Sequence, residues 1–571
     1  MKYRLNLSRE FIYFLLFIMA NFFVFSYLLN LWELLDPDNV LLGGDLSGEL
    51  TVTKIAYEGN LLGYTKDLAW PYGYSVWSYP LIGLGPQIFV WLLGLVFNNL
   101  PIFFVYLISI ILGHIINSTA IFWMVKNEFQ NKLYPFLLTF FFTFSTFIFY
   151  RIGHIPVVWL FFPIVIFGLW LRHDKNQINN KKVFLISLIT GIFSPFWWST
   201  VIILLSLTLF IVFSFMRKNF QQKQYFWLNI LVSTLLSLIP VLILYTQHLD
   251  LVGNVSRNAW QSNVFGGRLS DLINFSPFLN NFLNLKYKLI DGNSPEASIT
   301  QIGFPLLIAI IISFIFLIKS LLTPVKQFPK DLAILIFVLL LFYLSGGLGN
   351  LQAAVFVLLG QESPARSWSR LIILISIIGL YIAFKFLDKL KIKNYLISLI
   401  LIIFVSLTIL DINYAPKPQF KNIKLVEEFA PAGFIRNNTN DCPVFQLPLD
   451  TYPVPQDFLF ENGGKFFLNQ LTPYLLTNKN QWSLGGSPGN KYWQESVKLP
   501  NTIDKNYATK LKNDGYCAIL FDKKFAKWQI ERRAGLNLET GELANYANWP
   551  GVIISGLVPN FETARYQVFI L

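Results

Sequence analysis

The chain is 571 residues long, 54% hydrophobic and only 13% charged, with a formal net charge of +13. Soluble domains average about 25% charged residues, and the mean hydropathy here is +0.51, which excludes an ordinary soluble protein. The basic excess does not point to nucleic acid, because Lys and Arg collect in short segments between apolar runs, where they set membrane topology.

Apolar runs of about 20 residues, enough to cross a bilayer core of about 30 Å, recur along the chain. They predict a polytopic α-helical membrane protein. The first stretch, "MKYRLNLSREFIYFLLFIMANFFVFSYLLNLWELL", has a basic start. Its apolar part is too long for a signal-peptide core and lacks a small-residue cleavage pattern, so it reads as a retained span over 10–35. Further spans are predicted at 101–125, 133–150, 155–171, 183–195, 198–216, 226–246, 302–322, 331–348, 370–388 and 395–411. That makes about eleven crossings, with the N-terminus in the cytoplasm and the C-terminus outside. Basic groups at Lys2 to Arg9, Lys126 to Lys132, Arg172 to Lys182, Arg217 to Lys223, Lys319 to Lys330 and Lys385 to Lys393 are then cytoplasmic. The run "YPLIGLGPQIFVWLLGLVF" at 79–97 would invert every later basic loop if it crossed, so it reads as a re-entrant or interfacial helix on the outer side. The outer loops are 36–78, 150–156, 247–301 and 349–369. After Asp411 the composition turns polar, and "NYAPKPQFKNIK" reads as a Pro-containing linker. The division is therefore 1–411 in the membrane and 412–571 as an extracytoplasmic soluble α/β domain. "CPVFQLPL" and "YCAILFD" predict strands, and "NYATKLKNDGY" predicts a helix ending near Gly515.

Candidate chemistry starts at "VLLGGDLSGEL", which puts Asp45 and Glu49 just past the first span. A positioned carboxylate there can act as a general base or hold a divalent cation. Alternatively, Asp45 caps the helix "LSGELTVTKIAYEG". The spacing of four puts both acids on one helix face, which suits a shared cation or a solvated face. In "FIFYRIGHIPVVWLFFP", Arg151 and His154 occupy a short outer turn, where Arg can grip phosphate oxygens and His can move a proton. Interfacial snorkelling is the structural alternative. His114, inside a span, reads as a buried hydrogen-bonded residue. "GQESPARSWSRLIIL" keeps Arg366 and Arg370 on the outer side against the positive-inside trend, which suits a phosphate site or an ion pair with Glu362. Arg257 with Trp260 suits either a sugar or lipid headgroups. Trp482, in "NQWSLGGSPGNKYWQ", suits either a carbohydrate surface or packing within the domain. Cys442 and Cys517 both fall in the polar tail and can form a disulfide in an oxidising compartment, or remain two buried thiols. The chain has no GxxxxGK[ST], HExxH or GxSxG motif and no Cys/His metal cluster, which argues against ATP and serine hydrolysis.

The layout of an acidic motif past the first span, then "WPYG…YP" and a membrane-associated apolar helix, resembles the GT-C superfamily of integral-membrane glycosyltransferases. The resemblance covers roughly 1–411. It implies a GT-C-like membrane fold, a polyprenyl-phosphate-linked sugar as donor and an essential acid at Asp45, with Glu49 as a companion. "GDLSGE" stands in place of adjacent acids, so no cofactor follows, and a divalent cation (Mg or Mn) at Asp45 and Glu49 stays open. "FIFYRIGHIPVVWLFFP", with "CPVFQLPLDTYPVPQ", "YLLTNKNQWSLGG" and "LKNDGYCAILFDKK" in that order, is similar to a bacterial branch with an exported C-terminal α/β domain. The expected activity is sugar transfer to a cell-envelope glycan or lipid acceptor. It would take place on the outer face of a bacterial cytoplasmic (inner) membrane, among membrane lipids. The alternatives are a lipid or polysaccharide transporter or flippase, or a non-catalytic envelope-assembly protein. A transporter would place ionisable groups along a mid-membrane path, whereas the spans are nearly free of them.

Overall fold

The computed structural model describes residues 9–36, 39–41, 46–61, 63–75, 83–97, 99–216, 221–246, 276–282, 302–322, 330–358, 368–389, 394–415, 420–422, 430–439, 442–447, 474–475, 480–483, 500, 502–523, 526 and 553–571. The helices, in order, begin with α1 (Arg9–Leu28), α2 (Leu46–Tyr57), α3 (Leu84–Val96), α4 (Ile102–Val125), α5 (Tyr134–Thr143), α6 (Thr146–Tyr150) and α7 (Ile155–Val158). Next come α8 (Phe161–Asp174), α9 (Asn180–Ile192), α10 (Phe196–Phe215), α11 (Gln221–Ser237), α12 (Ile239–Thr246) and α13 (Pro277–Phe282). The last are α14 (Phe304–Leu322), α15 (Lys330–Tyr343), α16 (Leu348–Leu358), α17 (Ile372–Lys389), α18 (Asn394–Tyr414), α19 (Ala430–Asn438) and α20 (Lys505–Asn513).

Every apolar run expected to span falls on one of these helices or on a pair of them. Among the described residues, five helical stretches are long and apolar enough to cross a membrane: 102–125, 155–174, 196–215, 221–244 and 368–389. Two of these five are interrupted, and the remaining apolar helices are shorter over their described residues. The expected span 133–150 breaks between α5 and α6, and 155–171 breaks after α7 at Trp159 and Leu160. Side chains from α4 meet the second break. Asn117 donates to Val158 O at 2.7 Å and accepts from Leu160 N at 2.9 Å, and Trp159 Nε1 donates to Ser109 O at 3.2 Å. Opened backbone in an apolar setting needs such partners. A side chain at Gly113 would come within 2.6 Å of the Trp159 ring, so α4 needs a glycine there. The run 79–97 contains α3, thirteen residues long. That is about 20 Å of helix, short of a bilayer core.

Basic groups from two separated segments converge at one end of the bundle on Glu128, which is buried. Lys175 Nζ lies 2.6 Å and Lys385 Nζ 3.5 Å from its carboxylate, and the Tyr381 hydroxyl donates to it at 2.9 Å. Asp388 accepts from Gln130 N at 2.9 Å and Asn131 N at 3.2 Å.

Two expectations for the loops are corrected. The outer loop 349–369 contains most of α16, so it is not loop throughout. The linker after Asp411 is also structured in part. α18 continues to Tyr414, and β4 (Phe420–Asn422) pairs antiparallel with β1 (Asn39–Leu41). Asp411 is buried near the end of α18 and accepts from Phe304 N at 2.7 Å, Phe278 N at 3.3 Å and the Ser276 hydroxyl. It caps α14 from a distant segment rather than closing a span. The short hairpin β2 (Tyr64–Thr65) and β3 (Tyr74–Ser75) follows α2.

In the polar tail, β5 (Val444–Leu447) runs parallel to β7 (Ala518–Asp522). β10 (Tyr566–Ile570) pairs antiparallel with both β7 and β9 (Phe561–Glu562), giving the order β5-β7-β10-β9. A smaller parallel pair joins β6 (Thr502–Ile503) to β8 (Ile553–Ile554). α20 is capped by the Asp504 side chain, which accepts from Tyr507 N at 2.8 Å. The helix is closed by Gly515 at φ +98°, a left-handed conformation that suits glycine. Cys442 and Cys517 are disulfide-bonded beside β5 and β7, with Cα atoms 6.1 Å apart.

Candidate functional site

α2 is buried on all sides from Leu50 to Ala56, and Glu49 in its first turn favours the positive helix end. The Thr53 hydroxyl donates back to Glu49 O at 2.8 Å. The Glu49 side chain, 15% exposed, faces His154, whose Nδ1 lies 3.8 Å from its Oε1. The turn carrying His154 lies against the start of α2: a side chain at Gly153 would meet Leu46 at 3.9 Å. The Tyr106 hydroxyl from α4 holds that turn by donating to Ile152 O at 2.6 Å. Arg151, at the end of α6, is 1% exposed. Burial of a guanidinium at that level is costly and demands polar company.

Glu49, Thr53, Gly83, Gln87, Ile155 and Pro156 line a crevice between α2, α3 and α7, with about 20 Å³ of free space. That volume admits a single water or hydroxyl. Gln87 is buried, and its Oε1 makes no hydrogen bond among the described residues. Sequence reasoning missed Gln87. The signal was available, since it is the one amide in the apolar helix "LGPQIFVWLLGLV", and polar groups in apolar helices are expensive. α3 approaches the turn before α10 so closely that a side chain at Gly83 would come within 2.4 Å of Pro195 Cα. Just beyond that turn, the guanidinium of Arg370 lies over the Trp197 ring, 5.8 Å from its centroid. α7, which lines the crevice, also packs on α10.

Thus Glu49 and His154 come together at one end of the bundle, Arg151 lies in the same turn as His154, and Arg370 reaches the neighbouring start of α10. Asp45, Arg257, Trp260 and Arg366 lie outside the described residues; Asp45 directly precedes Leu46, the first residue of α2. Among the described residues, no three His, Cys, Asp or Glu side chains gather in a metal-holding arrangement. Two other expectations are corrected. Trp482 is fully buried, so its ring offers no face to a sugar and serves packing and backbone pairing instead. His114 is buried, but its ring is not hydrogen-bonded among the described residues. Neither ring nitrogen has a partner among the described residues, and the ring stacks on Phe25 at 4.0 Å.

A second polar cluster sits at the far end of α2. Lys54, 4% exposed, donates to Tyr474 O at 2.6 Å and lies 3.4 Å from Glu58. Burial lowers the Lys54 ammonium and raises the Glu58 carboxyl, in each case outweighing the pull of the other. Burial likewise raises Asp67.

The apolar helices, with a site at one end, define a polytopic membrane protein. No family model matches the chain, and no curated protein matches it. Among solved structures, the chain is similar to the arabinofuranosyltransferase AftD from Mycobacteria, with TM-score 0.50 and 12% identity, over 99% of this chain and 40% of that one. A mutant form of the same enzyme gives TM-score 0.49 and 12% identity, over 90% of this chain and 37% of that one. The likeness is one of fold alone. The chain spans about 40% of the length of the mycobacterial enzyme.

Proposed function

We propose that the chain is a membrane glycosyltransferase that moves a sugar from a polyprenyl-phosphate-type donor to a cell-envelope glycan or lipid acceptor. It works at the extracytoplasmic face of a bacterial inner membrane, and the finer placement is the bacterial branch with an exported tail, residues 412–571. The observation that carries the reading is the crevice at the start of α2, where Glu49 faces His154 at 3.8 Å beside the buried amide of Gln87. A carboxylate and an amide oxygen are both acceptors, which suits a hydroxyl donor such as a sugar.

In this scheme Asp45 takes the proton from an acceptor hydroxyl, with Glu49 and His154 orienting the group. The oxygen attacks the anomeric carbon from the face opposite the leaving group. The carbon–oxygen bond to phosphate breaks, and its electron pair leaves with the lipid phosphate, inverting the configuration. Arg151 and Arg370, with Arg366, stabilise that charge, and Arg257 with Trp260 contacts the sugar or acceptor. A divalent cation at Asp45 and Glu49 would assist by the same charge stabilisation.

The test is consumption of a panel of polyprenyl-phosphate sugars by wild type and by Asp45→Asn, with thermal melting of both in detergent. Release of lipid phosphate by wild type, lost in the variant at unchanged melting temperature, supports the base. A variant that melts lower while no donor is consumed by either protein makes Asp45 a helix cap and removes the reading.

A further inference from the structure

α2 presents Glu49 and is bracketed on both sides by segments from far down the chain. Ahead of it, β1 pairs with β4, with Val40 opposite Lys421. Behind it, the loop reaches the tail by backbone exchange: Trp482 N donates to Asp67 O at 2.8 Å, and Trp70 N donates to Trp482 O at 3.1 Å. The Trp482 segment also borders β5, because Val444 N donates to Gln481 O at 2.8 Å and Ser483 N to Val444 O at 3.1 Å. The first loop therefore extends the edge of the tail's sheet. Tyr516 adds a hydroxyl bond to Trp70 O at 3.1 Å and an edge-to-face ring contact at 4.6 Å.

Between these two attachments, Lys54 crosses from α2 to the tail. Its ammonium meets Tyr474 O at 2.6 Å, and the Tyr474 ring centroid lies 4.2 Å away. The Tyr474 hydroxyl returns a bond to Glu58 at 3.3 Å. A buried ammonium is tolerated only with such partners, so the contact ties the position of α2 to that of the tail.

We infer that the C-terminal segment is a clamp on α2, in which Lys54 is a positioning residue that holds the helix presenting Glu49. The inference rests on the proposed role of the Glu49 site, and it gives the tail a task other than capturing acceptor.

The test is hydrogen exchange on the full chain in detergent, with steady-state turnover measured beside it. Lys54→Met keeps the apolar stem and removes the ammonium. Exchange over 46–57 should quicken about tenfold while α4 and α10 stay unchanged. Turnover (kcat) should fall about tenfold at constant acceptor KM, and Lys54→Arg should restore most of both. Lys421→Pro attacks the β1–β4 pairing from the tail side and should loosen α2 in the same direction, which covers the case where Lys54→Met does not fold. Unchanged α2 exchange in the folded variants overturns the clamp. So does global unfolding of both, because a clamp predicts a change confined to α2. A loss seen only in acceptor KM would make the tail an acceptor-binding module instead. If wild type turns over no donor, the proposed function fails, and the exchange result still decides the clamp.

Discussion

The two ends of the bundle hold two carboxylates in different states. Glu128 at one end is saturated: two lysines and a tyrosine hydroxyl converge on it. Glu49 at the other end faces a histidine at 3.8 Å across a crevice with an amide oxygen that has no partner among the described residues. Buried polar groups are normally hydrogen-bonded, and an exception asks for a reason. A saturated cluster ties helices together. The Gln87 amide oxygen, with no partner among the described residues, leaves bonding capacity for a ligand. The unmade amide bond sets the surroundings of Glu49 apart from those of Glu128 without reference to any motif.

Breaking the contrast at the working end should give the largest effect. Glu49→Gln should lower transferase turnover by roughly 10²-fold, the cost of misplacing a positioned group, with little change in melting. Steady-state release of lipid phosphate checks it. Glu128→Leu should do the reverse. Turnover per folded molecule should stay within about twofold, while stability falls by roughly 1–2 kcal/mol, discounted because both lysines are partly solvated. Thermal melting in detergent reads that loss.

Gln87→Leu sharpens the comparison. It removes an amide with an unmade bond, so stability should hold or rise slightly. Acceptor KM should increase about tenfold, the cost of one hydrogen bond to a sugar hydroxyl. An unchanged KM would mean that the amide faces no substrate.

The smallest effect is a pH dependence at the clamp, where Glu58 shares its surroundings with Lys54, Asp67 and the Tyr474 hydroxyl. Burial holds the folded Glu58 carboxyl above its ordinary value of 4.5. The folded state therefore binds more protons than the unfolded one in the window just above that value. Its contribution is fully present below 4.5 and is lost as pH rises through the raised value. Asp67 acts in the same direction. Melting scans across mildly acid pH should show this slope, and Glu58→Gln should flatten it, with shifts on the order of 1 °C.

Local pattern made much of this molecule legible. The apolar runs became helices, "CPVFQLPL" and "YCAILFD" contain β5 and β7, and the helix before Gly515 ends where a left-handed residue is needed. The acidic loop and the "YRIGHIP" turn were singled out from charge near apolar runs, and Glu49 and His154 do meet. What stayed hidden depends on distant partners. The break at Trp159 is satisfied by Asn117 on another helix, which pairs Val158 O and Leu160 N, so no interruption shows in an apolar string. The bond from Lys54 to Tyr474 spans 420 positions, and the β1–β4 pairing is equally remote in sequence. In the sequence Trp482 suits either a sugar platform or packing, and its burial decides for packing.

The most direct measurement is lipid-phosphate release from polyprenyl-phosphate sugars by wild type, Glu49→Gln and Glu128→Gln, each normalised to folded protein. A working site at the start of α2 predicts that Glu49→Gln loses roughly 10²-fold, while Glu128→Gln matches wild type. Equal losses in both variants, or a loss confined to Glu128→Gln, would contradict it.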